Sequence, residues 1–118
     1  DPKDSRTIIN LYKEAAEKSG SSDAMFRLAV LYSQKPSDFL NKMYWLEKAA
    51  KGGHAEAQYQ LAGEYMFSKE YRLPEALNLC RKAALQGHIE AQAQLAGLLT
   101  RDFLTNPGFI VSNEALIE

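Results

Sequence analysis

The chain repeats itself at an interval of 34 residues, and this internal repeat constrains its fold more than any other feature. Residues 48–63 read KAAKGGHAEAQYQLAG and residues 82–97 read KAALQGHIEAQAQLAG, so 12 of these 16 positions are identical. A weaker copy lies 33 residues further upstream. A period of this length is too long for one helix and is typical of a helix–turn–helix unit. We therefore expect an array of such units.

The matched positions of the three copies hold small and apolar residues. In the first copy they are Tyr12, Ala16, Gly20, Ala24, Leu28, Ala29 and Tyr32; in the second Trp45, Ala49, Gly53, Ala57, Leu61, Ala62 and Tyr65; in the third Leu79, Ala83, Gly87, Ala91, Leu95, Ala96 and Leu99. Their spacing of three to four residues places them on one helix face. Small residues beside large ones let helices approach closely, and stacked pairs then bury a continuous core.

This periodicity predicts six helices, with a further one starting near residue 112. Their approximate ranges are 4–18, 22–34, 38–52, 55–68, 73–86 and 89–101. Glycine favours the end of a helix, whereas proline stops one helix or opens the next. Residues of these two types occupy the expected connections: Pro36, Gly53, Pro74 and Gly87. Ser37 or Asp38 could also cap the helix that follows Pro36.

The pattern W-x3-A-x3-G-x3-A-x3-L-[AG]-x2-Y resembles the Sel-one-like repeat, a relative of the tetratricopeptide repeat, over roughly residues 8–118. The resemblance implies an all-α superhelix, or solenoid, of about three helix pairs. It divides a single repeat domain, residues 1–118, into a leading helix (4–21), two repeats (22–54 and 55–88) and a third whose last helix is truncated (89–118). The chain departs from the family by having Leu-Ala where Leu-Gly is usual, and by the loop SKEYRLP.

The resemblance also implies a function, because proteins of this family mostly act as adaptors that bind other proteins or peptides. We expect an adaptor or scaffold domain, part of a larger or bacterial protein. The helices starting near residues 22, 55 and 89 would line its concave wall. The residues expected to contact the partner there are Phe26, Val30, Gln34, Tyr59, Gly63, Met66, Phe67, Ala93, Gly97, Thr100 and Arg101. The alternative is that they only pack one repeat against the next.

Composition and charge argue against several other classes. Fourteen Lys and Arg balance fifteen Asp and Glu, so the chain lacks the basic field that nucleic-acid binding needs. No apolar run approaches the roughly 20 residues that span a membrane. The single cysteine, Cys80, cannot form an internal disulfide, which sets the chain apart from a β-lactam-linked branch of the family with one disulfide per repeat. Cytoplasmic and periplasmic or secreted locations are both compatible with these features.

We expect no enzyme, no cofactor and no metal site. His54 and His88 follow the turn glycines at matched positions, where a helix start needs polar groups. A metal would require them to converge with Glu56 and Glu90, but matched positions in stacked repeats lie on the order of 10 Å apart. Cys80 has no histidine near it in the sequence to act as a base, and is expected to be a small buried apolar residue.

Two other functions remain open. The apolar C-terminal segment could mediate self-association as a homo-oligomer, because its helix would lack a partner. Its residues are Phe109, Ile110, Val111, Ala115, Leu116 and Ile117. The last and weakest alternative is a small enzyme that uses His54 or His88.

Overall fold

A computed structural model describes residues 5–68 and 72–105. In these ranges the chain is all-helical, with no strand. Its helices are α1 (Ser5–Ser19), α2 (Ser22–Tyr32), α3 (Phe39–Lys51), α4 (Ala55–Phe67), α5 (Leu73–Leu85) and α6 (Ile89–Thr105), and a 3-10 turn (Pro36–Asp38) precedes α3. The six predicted helices are therefore confirmed to within a few residues. The helix expected near residue 112 lies outside the described residues.

The helices pack mainly against their neighbours in sequence. The most extensive interfaces join α2 to α3 and α4 to α5, and smaller ones join α1 to α2, α3 to α4 and α5 to α6. The molecule measures 57 × 28 × 18 Å, and its radius of gyration of 16.2 Å exceeds the roughly 13.5 Å expected of a compact chain of this length. The structure is thus elongated, with each helix held mostly by those next to it.

The core is built from the matched positions of the repeat. The buried members of this set are Ala16, Ala24, Leu28, Ala29, Trp45, Ala49, Ala57, Leu61, Ala62, Ala83, Ala91, Leu95 and Leu99. Tyr32 and Tyr65 are half-buried and pack against this core. Ala96 was expected to pack as Ala62 does, and this prediction is wrong for the described structure. Ala62 is buried beneath α5, whereas no described helix covers Ala96.

Two turns of the same design connect α3 to α4 and α5 to α6. At the first, the N–H of Gly53 donates to Ala50 O at 3.0 Å and the N–H of His54 donates to Ala49 O at 3.1 Å. This paired arrangement requires a left-handed residue, and Gly53 and Gly87 have φ of +93° and +89°. The predicted glycine helix ends are therefore confirmed. Each turn places a histidine immediately before the next helix.

The start of α3 differs from the prediction. Asp38 occupies the position before the helix, but its side chain makes no capping hydrogen bond. The residue belongs to the 3-10 turn that Pro36 opens, so its backbone lacks the extended conformation of a capping residue. The expected side-chain cap by Asp38 is therefore absent from this structure.

Candidate partner-binding surface

His54 joins the first repeat to the second. Its Nδ1 accepts the backbone N–H of Ala57 at 3.1 Å and so caps α4. The imidazole stacks on Phe26 with ring centroids 4.6 Å apart and planes inclined by 20°. Its Nε2 lies 3.4 Å from Asp23 Oδ1 on α2. One side chain therefore completes a helix start and contacts the preceding repeat.

His88 repeats this arrangement one unit later. Its Nδ1 accepts the N–H of Ala91 at 3.1 Å, and its ring lies 4.9 Å from that of Tyr59. Because Nδ1 acts as the acceptor, the proton of the neutral ring resides on Nε2. Nε2 donates that proton to Glu56 Oε2 at 2.5 Å. The structural role predicted for both histidines at the helix starts is thus confirmed.

Two opposing effects act on the pKa of the Glu56 carboxyl. Partial burial favours its neutral form, but the hydrogen bonds from His88 and Gln60 and the nearby imidazoles outweigh burial and lower its pKa. Glu56 is therefore a carboxylate at neutral pH. The pair that it forms with His88 links α4 to the turn before α6.

The residues predicted to contact a partner lie on α2, α4 and α6, with Gln34 in the turn after α2. Phe26 and Tyr59 are half-buried, and the ring of each contacts a histidine of the next repeat. Inter-repeat packing, the alternative reading of these two residues, therefore does occur. Gly63 and Met66 are also half-buried. The exposed members of the set are Val30, Gln34, Phe67, Ala93, Gly97, Thr100 and Arg101.

A groove of about 670 Å³ lies between the start of α3 and the end of α4. We call it the Phe67 groove. Its apolar lining is Phe39, Leu40, Met43, Tyr65 and Phe67, and Glu47, Glu64, Ser68 and Arg72 complete it. Phe67 and Leu40 are 87% and 82% exposed. Beside it, Lys42 Nζ and Glu64 Oε1 form a 2.6 Å ion pair that ties α3 to α4. Of these lining residues, only Phe67 is among the partner-binding residues that the sequence predicts.

A pair of linked glutamines, Gln58 and Gln86, was not predicted from the sequence. Gln58 is 4% exposed, and its amide donates to Ala50 O across the turn at 3.1 Å. Its side-chain oxygen accepts from Gln86 Nε2 at 3.0 Å, and Gln86 also donates to Gly53 O. The sequence does contain a signal for a buried polar contact, because Gln92 matches Gln58 and a polar residue therefore recurs at the same position of an apolar stretch.

Cys80 is fully buried, as the sequence predicted. Burial raises the pKa of its thiol to about 11, so it carries almost no thiolate at neutral pH. Its Sγ lies 3.3 Å from Gln94 Oε1, which is not a base. Within residues 5–68 and 72–105, no group of three or more His, Cys, Asp and Glu could hold a metal ion. None of the helices described there is long and apolar enough to cross a membrane.

Comparison with known proteins gives one partial similarity. The chain is 40% identical over 55 residues to an F-box protein of Arabidopsis thaliana. The aligned stretch is 46% of this chain and 15% of that protein, so the chain matches only a small segment of its relative. No family model matches the sequence. No solved structure matches it either.

Proposed function

We propose that the chain is a helical-repeat module of the Sel-one-like type that binds a peptide or protein segment as an adaptor. The Phe67 groove carries this proposal, because two large apolar side chains, Phe67 and Leu40, are almost fully exposed at a concavity of peptide-binding size. A few anchor residues seated in pockets supply most of the binding energy in protein interfaces, and aromatic residues such as Phe are enriched there.

We also propose that binding extends from this groove along the concave wall that α2, α4 and α6 would form in a solenoid divided as the resemblance implies. Phe26 and Tyr59 support the extension, since His54 stacks on the Phe26 ring and His88 contacts the Tyr59 ring at a tilted angle. A ring that is already held in place loses little conformational entropy when a partner binds. Similarity to a segment of a much longer F-box protein supports a module that serves within a larger chain.

The test begins with peptides selected from a displayed random library against the full chain, whose affinities are then measured by calorimetry. Phe67→Ala and Leu40→Ala are expected to weaken binding at least about tenfold, which corresponds to about 1.4 kcal/mol each. Leu11→Ala is the matched control, because Leu11 is also an exposed large apolar residue, but lies on α1. The proposal fails if no peptide is selected, or if Phe67→Ala and Leu40→Ala bind the selected peptides as tightly as Leu11→Ala does.

Self-association is the second candidate function. The residues predicted to mediate it, Phe109, Ile110, Val111, Leu116 and Ile117, lie outside the described residues. Light scattering of the full chain tests it directly. Self-association is ruled out if the chain is a monomer both when intact and after residues 106–118 are removed.

A further inference from the structure

The charged lining of the Phe67 groove indicates which peptides it would prefer, so this inference rests on the proposed function. Three charged residues line the groove: Glu47, Glu64 and Arg72. Glu64 is neutralised by its 2.6 Å ion pair with Lys42. Glu47 is exposed, and within residues 5–68 and 72–105 no salt bridge engages it. Its negative charge is therefore available to a partner.

The Tyr65 hydroxyl reports the electrostatic field at the Glu47 end of the groove. Burial raises the pKa of this hydroxyl, and the negative charge of Glu47 raises it further. Glu75 on α5 acts in the same direction, whereas Arg72 opposes both. The charge of Glu47 acts on Tyr65 more strongly than the charge of Arg72 does. Two carboxylates and one guanidinium thus act on this point, which favours a cation beside it.

Glu47 and Tyr65 also line a second groove, of about 300 Å³, which is formed by residues of α3, α4 and α5. The two grooves therefore meet at these two residues. Lys51 and Lys82 line the second groove but not the Phe67 groove. A positive charge on the partner is consequently favoured at the junction of the two grooves and disfavoured beyond it.

We propose that the Phe67 groove selects a segment with a large apolar side chain and a single neighbouring lysine or arginine, whose cation pairs with Glu47. The apolar side chain packs against Phe67 and Leu40, and the basic side chain extends to the junction of the two grooves. Lysine and arginine suit this arrangement, because their aliphatic stems can lie along apolar surface while the charge remains in water. Charge complementarity of this kind contributes more to specificity than to affinity.

The test uses the full chain and the peptides selected from the displayed library. We expect these peptides to contain a lysine or arginine close to their apolar anchor. Replacing a lysine at this position with norleucine keeps most of the stem and removes the charge. This change should weaken binding about threefold to fivefold, the size expected of an exposed ion pair. Calorimetry at about 50 mM and about 500 mM salt should show the difference shrink as screening increases.

Two variants of the full chain assign the preference to Glu47. Glu47→Gln should remove it, so that the lysine and norleucine peptides bind this variant equally well. Glu14→Gln is the matched control, because Glu14 holds the same repeat position on α1 and lines neither groove. The inference is overturned if the selected peptides lack a basic residue, or if Glu47→Gln still prefers the lysine peptide. In either case the proposed function stands as long as Phe67→Ala weakens binding.

A further variant tests whether the chain itself is the occupant of the groove. Residues 69–71 join Ser68 to Arg72, and both of these residues line the groove. Tyr71→Ser is expected to leave the affinity for the selected peptides unchanged. A gain of about tenfold or more would show that residues 69–71 compete with the peptide, and would overturn the inference together with the proposed function.

Discussion

Replacing His88 with alanine is expected to destabilise the protein by about 2.5 kcal/mol. The loss of a helix cap contributes about 1 kcal/mol. The hydrogen bond to Glu56 contributes about 1 kcal/mol, a value reduced for solvent screening because the Glu56 side chain is 40% exposed. The ring contact with Tyr59 contributes about 0.5 kcal/mol.

His54→Ala is the matched comparison and is expected to cost about 1.5 kcal/mol. This ring also caps a helix, through Ala57, and stacks on Phe26. Its carboxylate partner Asp23 stands 3.4 Å away and is 64% exposed, so that contact contributes little. The difference of about 1 kcal/mol between the two variants therefore reports on the His88–Glu56 hydrogen bond.

Urea unfolding at pH 7, followed by far-ultraviolet circular dichroism and by the fluorescence of the buried Trp45, measures both losses. His88→Asn separates capping from the other contacts, because asparagine is a good helix cap and should recover about 1 kcal/mol. The reasoning would be refuted if His54→Ala cost as much as His88→Ala, or if the asparagine variant were no more stable than the alanine variant.

Three further predictions follow from the turns and the titratable groups. Gly87→Ala should lower the free energy of unfolding by about 1 kcal/mol, because the φ of Gly87 is +89°. Gly97 lies within a helix and has open space where a Cβ would be, so Gly97→Ala should raise the free energy of unfolding by about 0.5–1 kcal/mol. Urea midpoints of the two variants that shift in the same direction would contradict this. Because the pKa of Glu56 is lowered in the folded chain, its carboxylate stabilises the fold above the ordinary Glu pKa near 4.3, and this stabilisation is lost as the pH falls further. Glu56→Gln should therefore lose less stability than the wild type between pH 5 and pH 3, roughly the range in which Glu titrates. An unchanged slope of stability against pH would count against the pairing of Glu56 with His88. With a thiol pKa near 11, Cys80 should react with a disulfide reagent at pH 8 at least about 100-fold more slowly in the folded than in the urea-unfolded chain, and equal rates would show that the thiol is accessible.

The helices and their turns could be predicted from the sequence because their causes are local. Rows of residues such as Ala57, Leu61 and Tyr65 recur every four positions, so one helix face is defined before any neighbour is known. The two turn glycines adopt a conformation that other residues avoid, which makes Gly53 and Gly87 reliable helix ends. The role of the histidines followed from their place immediately after these glycines.

The contacts of the side chains could not be predicted in the same way, because they depend on how one repeat lies on the next. The pairing of Phe26 with His54 joins residues 28 positions apart, and no local pattern encodes that distance. The Phe67 groove was largely missed for a similar reason. Leu40 lies at the start of α3, outside the matched positions, so the repeat gave no signal for it.

Matched residues can also have different roles according to their place in the array. Ala62 is buried and Ala96 is exposed, although both occupy the same position of their repeats. Gln58 is buried against Gln86, whereas Gln92 makes the same backbone contact and remains exposed. Residue type therefore defines the contact that each position can make, and the presence of a covering helix decides whether it is used for packing.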